Sequence, residues 1–207
     1  MEKVVVKTAV KTVLIILGIV GIIFAVFNFA FPQHMATLTE GMGNYSLAIK
    51  YASLRYSYTH DGEDLARCFD DAVLLGEDKY ILEFGEDLVK LKDFDVICEK
   101  KSDEIGGGYD YHHYVLNKIS LSYYNTGKKA EAVALALEAN GGSTFVYGNA
   151  LMSLAARVRS ANDAQTSKML VEILQNIHPE NQTEADNLQV VINGLNAVIS
   201  ESKINSN

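Results

Sequence analysis

Tryptophan is absent from this chain of 207 residues, and proline and cysteine occur only twice each. Because proline is scarce and Ala, Leu, Glu and Lys are frequent, the composition favours helices over a sandwich or barrel of short strands. Two cysteines are too few for a disulfide framework, and Cys68 and Cys98 lack the C-x-x-C spacing of zinc and redox sites. We expect both to be small buried residues, with a disulfide between them as the alternative.

The chain also has no excess of positive charge, since 26 acidic residues outnumber 18 basic ones and the net charge is −8. Binding to nucleic acid requires a basic stripe that neutralises phosphates, so nucleic acid is excluded as a partner. An acidic domain is also repelled by anionic lipid headgroups.

One long apolar run is present. Residues 13–31 carry no charge, and Asn28 is their only strongly polar side chain. As a helix this run would be about 28 Å long, which is close to the hydrocarbon thickness of a bilayer. The sequence therefore predicts a single transmembrane helix over 12–31.

The charges that flank this run predict its orientation. Lys3, Lys7 and Lys11 precede it, and basic flanks stay cytoplasmic. A cleaved secretory signal is the alternative, but the run is longer than an apolar signal region of roughly 7–15 residues. We expect a retained single-pass anchor in the cell membrane, with a cytoplasmic amino terminus and an extracytoplasmic carboxy-terminal domain. Gly21 and Ala25 form a small-x-x-x-small pair that permits weak self-association, but the favoured interpretation is a lipid-facing helix, because such pairs are common by chance.

The rest of the chain has the 3.6-residue period of amphipathic helices, interrupted by turns. In the first helix the apolar face is predicted to consist of Leu47, Tyr51, Leu54 and Tyr58. The predicted segments are a basic cytoplasmic tail over 1–11, the transmembrane helix over 12–31, a connector over 32–43, helical repeats over 44–181, a capping helix over 182–202 and a tail over 203–207.

Internal self-similarity is the strongest signal in this part. The ends of the first helices align at Tyr58, Leu88, Tyr123 and Val158, at spacings of 30, 35 and 35 residues. The third unit resembles the tetratricopeptide repeat (TPR) at its apolar, aromatic, glycine and small positions, which are Leu116, Ile119, Tyr123, Gly127, Ala132, Ala136 and Ala139. The fourth is similar at Leu151, Leu154, Ala155, Val158 and Pro179.

This resemblance covers residues 44–179 and implies an all-α, right-handed solenoid of about four hairpins closed by a carboxy-terminal capping helix. It also implies a groove lined by the first helix of each hairpin, where a protein or peptide partner binds; packing between hairpins is the alternative for the tyrosines. The groove positions that it implies are Tyr56, His60, Lys79, Glu86, Lys90, Tyr114, Asn117, Tyr124, Asn125, Asn149, Met152 and Arg159.

No cluster of residues predicts catalysis, a metal or a cofactor. His112 and His113 point about 100° apart on a helix, and neither has an i+4 ligand. Asp61, Glu63 and Asp64 lack the spacing of a calcium loop and are explained by capping of a helix.

The sequence therefore predicts a membrane-anchored TPR-like interaction module, a scaffold or chaperone-like adaptor that is not an enzyme. The alternatives are a structural subunit of an envelope complex and, less favoured, an enzyme without a recognisable motif.

Overall fold

The computed structural model describes residues 2–140 and 150–204, and this part of the chain contains eleven α-helices and no strand. The all-helical class predicted from the composition is confirmed. The helices are α1 (Glu2–Ala30), α2 (Pro32–Gly41), α3 (Tyr45–Thr59), α4 (Gly62–Leu75), α5 (Asp78–Val89), α6 (Phe94–Ile105), α7 (Tyr111–Asn125), α8 (Lys129–Asn140), α9 (Ala150–Ser160), α10 (Ala164–Leu174) and α11 (Gln182–Ile204).

The prediction of a transmembrane helix over 12–31 is contradicted. Within residues 2–140 and 150–204, no helix is long and apolar enough to cross a membrane. Helix α1 begins at Glu2, so Lys3, Lys7 and Lys11 belong to the same helix as the apolar run instead of forming a separate tail. The predicted location rested on that span and stays a prediction.

The chain divides into two compact units, residues 1–75 and residues 76–207. In the first unit, α3 packs against both α2 and α4, and α2 adjoins α1. The connector predicted over 32–43 thus contains a helix, which starts with Pro32 in its first turn, where the missing N–H removes no helical hydrogen bond. Fully buried Phe69 and Leu65 of α4 are the largest side chains in the core of this unit.

The apolar face predicted for α3 is displaced. The helix buries Ala48, Ile49 and Ala52, whereas Tyr58 is 68% exposed. Since α2 covers one side of α3 and α4 covers another, small residues line the close contacts and the larger aromatic side chains lie towards the edge. A missed helix, α2, therefore accounts for the wrong face.

In the second unit the helices are arranged as a helical repeat. Helices α5, α7 and α9 pack side by side, α6 packs against α7, and α8 packs between α7 and α9. Helix α11 packs against α9 and α10 and buries the five residues that its pattern predicts, Leu188, Val191, Ile192, Leu195 and Val198.

The two cysteines are both free and buried, which confirms the favoured prediction. Burial raises the pKa of each thiol to about 12. Neither is therefore a reactive thiolate near neutral pH.

Substituting leucine for Ala136 is expected to destabilise the second unit. Ala136 is completely buried on α8, in the core shared with Leu151 and Leu154, and an added isobutyl group overpacks such a site at a cost of about 1–3 kcal/mol. The free energy of unfolding, measured by urea titration, should fall by that amount. Ala134→Leu on the exposed side of the same helix is the matched control, and equal unfolding midpoints for the two variants would contradict this packing.

Candidate functional site

A groove runs between α9 and α11 in the second unit. Its deeper part is a cavity of about 350 Å³, which is the lower end of the size range of ligand pockets. The wall is largely apolar, with Val190 exposed at its rim and Val191 buried below. The lining residues are Met152, Ser153, Ala155, Ala156, Arg159, Val190 and Val191.

Arg159 lies in the middle of this groove. It lines the apolar cavity and also a second, more open cavity of about 520 Å³ on its other side. The guanidinium group rests on α11 at Gly194, where an added Cβ would lie 2.8 Å from both the Cζ and the Nε atoms. The second cavity is more polar, and besides Arg159 it is lined by Ala156, Ser160, Asn162, Gly194, Ala197, Val198 and Glu201.

The guanidinium of Arg159 has no hydrogen bond or ion pair with any residue that the structure describes. The other arginines of the described chain are engaged: Arg55 and Arg67 pair with carboxylates, and Arg157 donates to Asn125. Arg159 is exposed and has no partner among the described residues, so a negative group in the middle of the groove would meet an available positive charge.

Asn117 of α7 borders the same groove. Its amide nitrogen donates to Ser153 Oγ at 3.4 Å, and Ser153 lines the apolar cavity. The Asn117 Oδ1 atom is buried and has no hydrogen-bond partner among the described residues. A buried polar atom without a partner costs free energy, so Asn117 is held beside the groove at some expense of stability.

Polar side chains link α5, α7 and α9, which are the first helices of successive hairpins. Asn125 donates to Asp78 at 3.1 Å and accepts from Arg157 Nε at 2.9 Å, so that one amide links all three helices. The Tyr123 hydroxyl donates to Glu86 at 2.9 Å. Of these contacts, the one between Asn125 and Arg157 reaches α9, which forms one wall of the groove.

Tyr124, which the resemblance places in the groove, belongs to the core at 7% exposure. Its hydroxyl donates to Asp163 at 3.1 Å, and Lys129 lies 2.7 Å from the same carboxylate. Burial by itself raises the pKa of Asp163, but hydrogen bonds from Lys129, Thr166 and Tyr124 outweigh it and lower the pKa to about 2. Burial and the Asp163 charge raise the pKa of Tyr124 to about 12.

The other predicted groove residues are dispersed. Tyr114 is half-buried and its ring contacts those of Tyr109 and Tyr111, while Lys79 lies over Tyr80 and Lys90 lies near Asp87 on the surface. Tyr56 and His60 belong to the first unit, where their rings meet edge to face. Asn149 lies outside the described residues. The structure thus brings together Met152 and Arg159, with Asn117 at the border.

The adjacent histidines His112 and His113 each contact a neighbouring helix. The His112 ring packs on Phe94, and His113 Nδ1 lies 3.2 Å from the Ala139 carbonyl oxygen. In the described ranges, no group of three His, Cys, Asp or Glu residues is placed to hold a metal ion.

Sequence reasoning missed Ser153, Val190 and Gly194. Two signals were available on α11: Val190 is an apolar residue outside the buried stripe, and Gly194 is a glycine in a helix interior, where it is disfavoured. No family model, curated protein or solved structure matches the chain. The geometry of the groove is therefore the basis for the functional proposal.

Proposed function

We propose that the second unit is a TPR-like module that binds a protein partner in the groove between α9 and α11. The observation that carries this proposal is the guanidinium of Arg159, held on α11 without a partner among the described residues and next to an apolar cavity. Arginine and methionine are enriched in protein interfaces relative to the remaining surface, and an apolar centre with a polar rim is their usual composition.

The ties between α5, α7 and α9 support the same proposal. Asn125 and Tyr123 already link these helices in the free chain. A preformed wall avoids the entropic cost of ordering on association, so more of the contact energy is retained as affinity.

Site-specific photo-crosslinking in the full chain tests this proposal. A photoreactive amino acid at position 153, inside the groove, should yield a crosslinked product with a discrete protein partner in cells. The same amino acid at position 134, on the exposed side of α8, is the control and should yield none. Equal products from both positions, or a product from position 134 alone, would place recognition elsewhere and favour an assembly subunit that uses its outer helices.

A further inference from the structure

We infer that the groove between α9 and α11 selects a partner segment that carries an acidic side chain next to an apolar one, with Arg159 binding the carboxylate. This inference rests on the proposed function and specifies the chemistry of the bound segment. Three features carry it. The Arg159 guanidinium lies against Gly194, the groove continues on both sides of Arg159, and one half of the groove is more polar than the other.

Gly194 is an unusual residue for its position. It lies inside the long helix α11, where glycine is among the least favourable residues because it gains nothing from a side chain and loses more backbone entropy than any other. A methyl group at this position would lie 2.8–2.9 Å from the Cζ, Nε and Nη1 atoms of Arg159. An alanine at this position would therefore push the guanidinium away from its present position against α11, a shift that the flexible side chain of Arg159 can make.

The groove continues past Arg159 in both directions. The apolar cavity extends from Arg159 towards Met152 and Val190, and the second cavity extends towards Asn162 and Glu201. A chain end would fill only one of these halves, whereas a continuous segment fills both. For that reason the carboxylate is assigned to an aspartate or glutamate side chain within a segment and not to a carboxy terminus.

The two halves of the groove favour different side chains. The half at Met152, Ala155 and Val191 suits an aliphatic group, because burying apolar surface there releases water from both partners. The other half contains Glu201 and Asn162, so a second negative charge would be repelled there. The expected order is an apolar residue, an acidic residue and then neutral polar residues, read from the Met152 end.

The probe is a fluorescein-labelled ten-residue peptide with both ends blocked, in which a Leu-Leu-Glu sequence is followed by serines. Fluorescence anisotropy with the full chain should show saturable binding. Replacing its Glu by Gln should weaken binding by about tenfold or more, since a charge-assisted pair is lost. A third peptide ends in Leu-Leu with a free carboxy terminus, which puts a terminal carboxylate at the place of the Glu side chain. Absent or charge-independent binding would overturn the inference, and a preference for the third peptide would overturn the assignment to a side chain.

Two variants test whether binding depends on Arg159 and on its position against Gly194. Arg159→Gln should reduce affinity for the Glu peptide by about tenfold or more and abolish the difference between Glu and Gln peptides. Gly194→Ala should also weaken binding by displacing the guanidinium, although it improves the helix propensity of α11 and should leave the unfolding midpoint unchanged or raised. Gly41→Ala adds the same methyl group where nothing lies within 4 Å, so it should bind like the unmodified chain. Normal binding by Gly194→Ala would show that the position of the guanidinium against Gly194 is not needed for binding.

The proposed function and this inference fail differently. If position 153 still crosslinks to a partner while Arg159→Gln leaves that product unchanged, the groove binds a protein but not through a carboxylate. If position 153 gives no product at all, the interaction module itself is rejected.

Discussion

Replacing Arg67 by methionine is expected to destabilise the first unit by about 2–4 kcal/mol, because two neighbouring carboxyl groups lose their shared cation. Arg67 of α4 donates through Nε and Nη2 to the two oxygens of Glu40 on α2, and Nη2 also donates to Thr37 Oγ1 at 2.7 Å. This fork is a polar link between α2 and α4. The side chains are 21% and 27% exposed, so the lower part of that range applies.

Asp71 makes the loss larger than that of an ordinary ion pair. It is 2% exposed on α4 and hydrogen-bonded to Glu40, and its Oδ2 atom has no hydrogen-bond partner among the described residues. Without Arg67, a buried carboxyl and a carboxylate would face each other with no positive charge between them. Removing one partner of such a pair costs more than the pair contributes, because the remaining charge is left desolvated.

Urea unfolding would measure this effect. The chain has no tryptophan, so Leu38→Trp at an exposed position of α2 provides a fluorescence signal specific to the first unit. Arg67→Met should lower the unfolding midpoint in this background. Adding Glu40→Gln should recover part of the loss, since it removes the stranded charge. If the double variant were less stable than Arg67→Met alone, the charge argument would be wrong.

The second large effect is on pH dependence: the first unit is expected to become more stable as the pH falls from about 7 to about 4. Burial, followed by the charge and hydrogen bond of Glu40, raises the pKa of Asp71 from 3.8 to about 7, against the opposing effect of Arg67. Asp70 on the same helix acts in the same direction as Glu40.

The sign follows from proton binding. Between pH 4 and 7 the folded chain holds a proton on Asp71 that the unfolded chain has released, so stability decreases as the pH rises through this window. At 1.36 kcal/mol for each pKa unit, the contribution is of the order of 4 kcal/mol at most. This stabilising contribution is fully present below the pKa of Asp71 in the unfolded chain and is lost above its pKa in the folded chain. Asp163 in the second unit, with its pKa lowered to about 2, acts in the opposite direction and only below about pH 4.

The Leu38→Trp reporter measures this dependence in urea titrations between pH 4 and 8. Asp71→Asn keeps the shape of the side chain without the titration, so its stability should vary much less across the same window. A first unit that gains stability from pH 4 to pH 7, or an Asp71→Asn variant with an unchanged slope, would show that Asp71 does not hold this proton in the folded chain.

The amphipathic sequence pattern predicted the buried face correctly where a helix packs along a single face. The stripe of α11 is buried as predicted because this helix packs on α9 and α10 along a single face, and an amphipathic period then identifies the contact. Pattern was insufficient for α3, which is covered on two sides, and for α2, whose polar residues include Glu40. It also led to a transmembrane prediction from an apolar run that the structure contradicts.

What the sequence determined by itself is the all-helical class, the two buried thiols and the inner face of the last helix, since these depend on composition and on a period of 3.6 residues. The tertiary structure decided which polar groups meet. Glu40 and Arg67 are 27 positions apart, and Arg159 and Gly194 are 35 apart, so no local pattern relates them. Tyr124 and Arg159 looked alike as groove residues, but the packing of α9 against its neighbours buried the first and left the second without a partner in the described chain. The physical reason is that a single helix fixes the direction of a side chain, whereas its burial and its partners depend on which helices pack beside it.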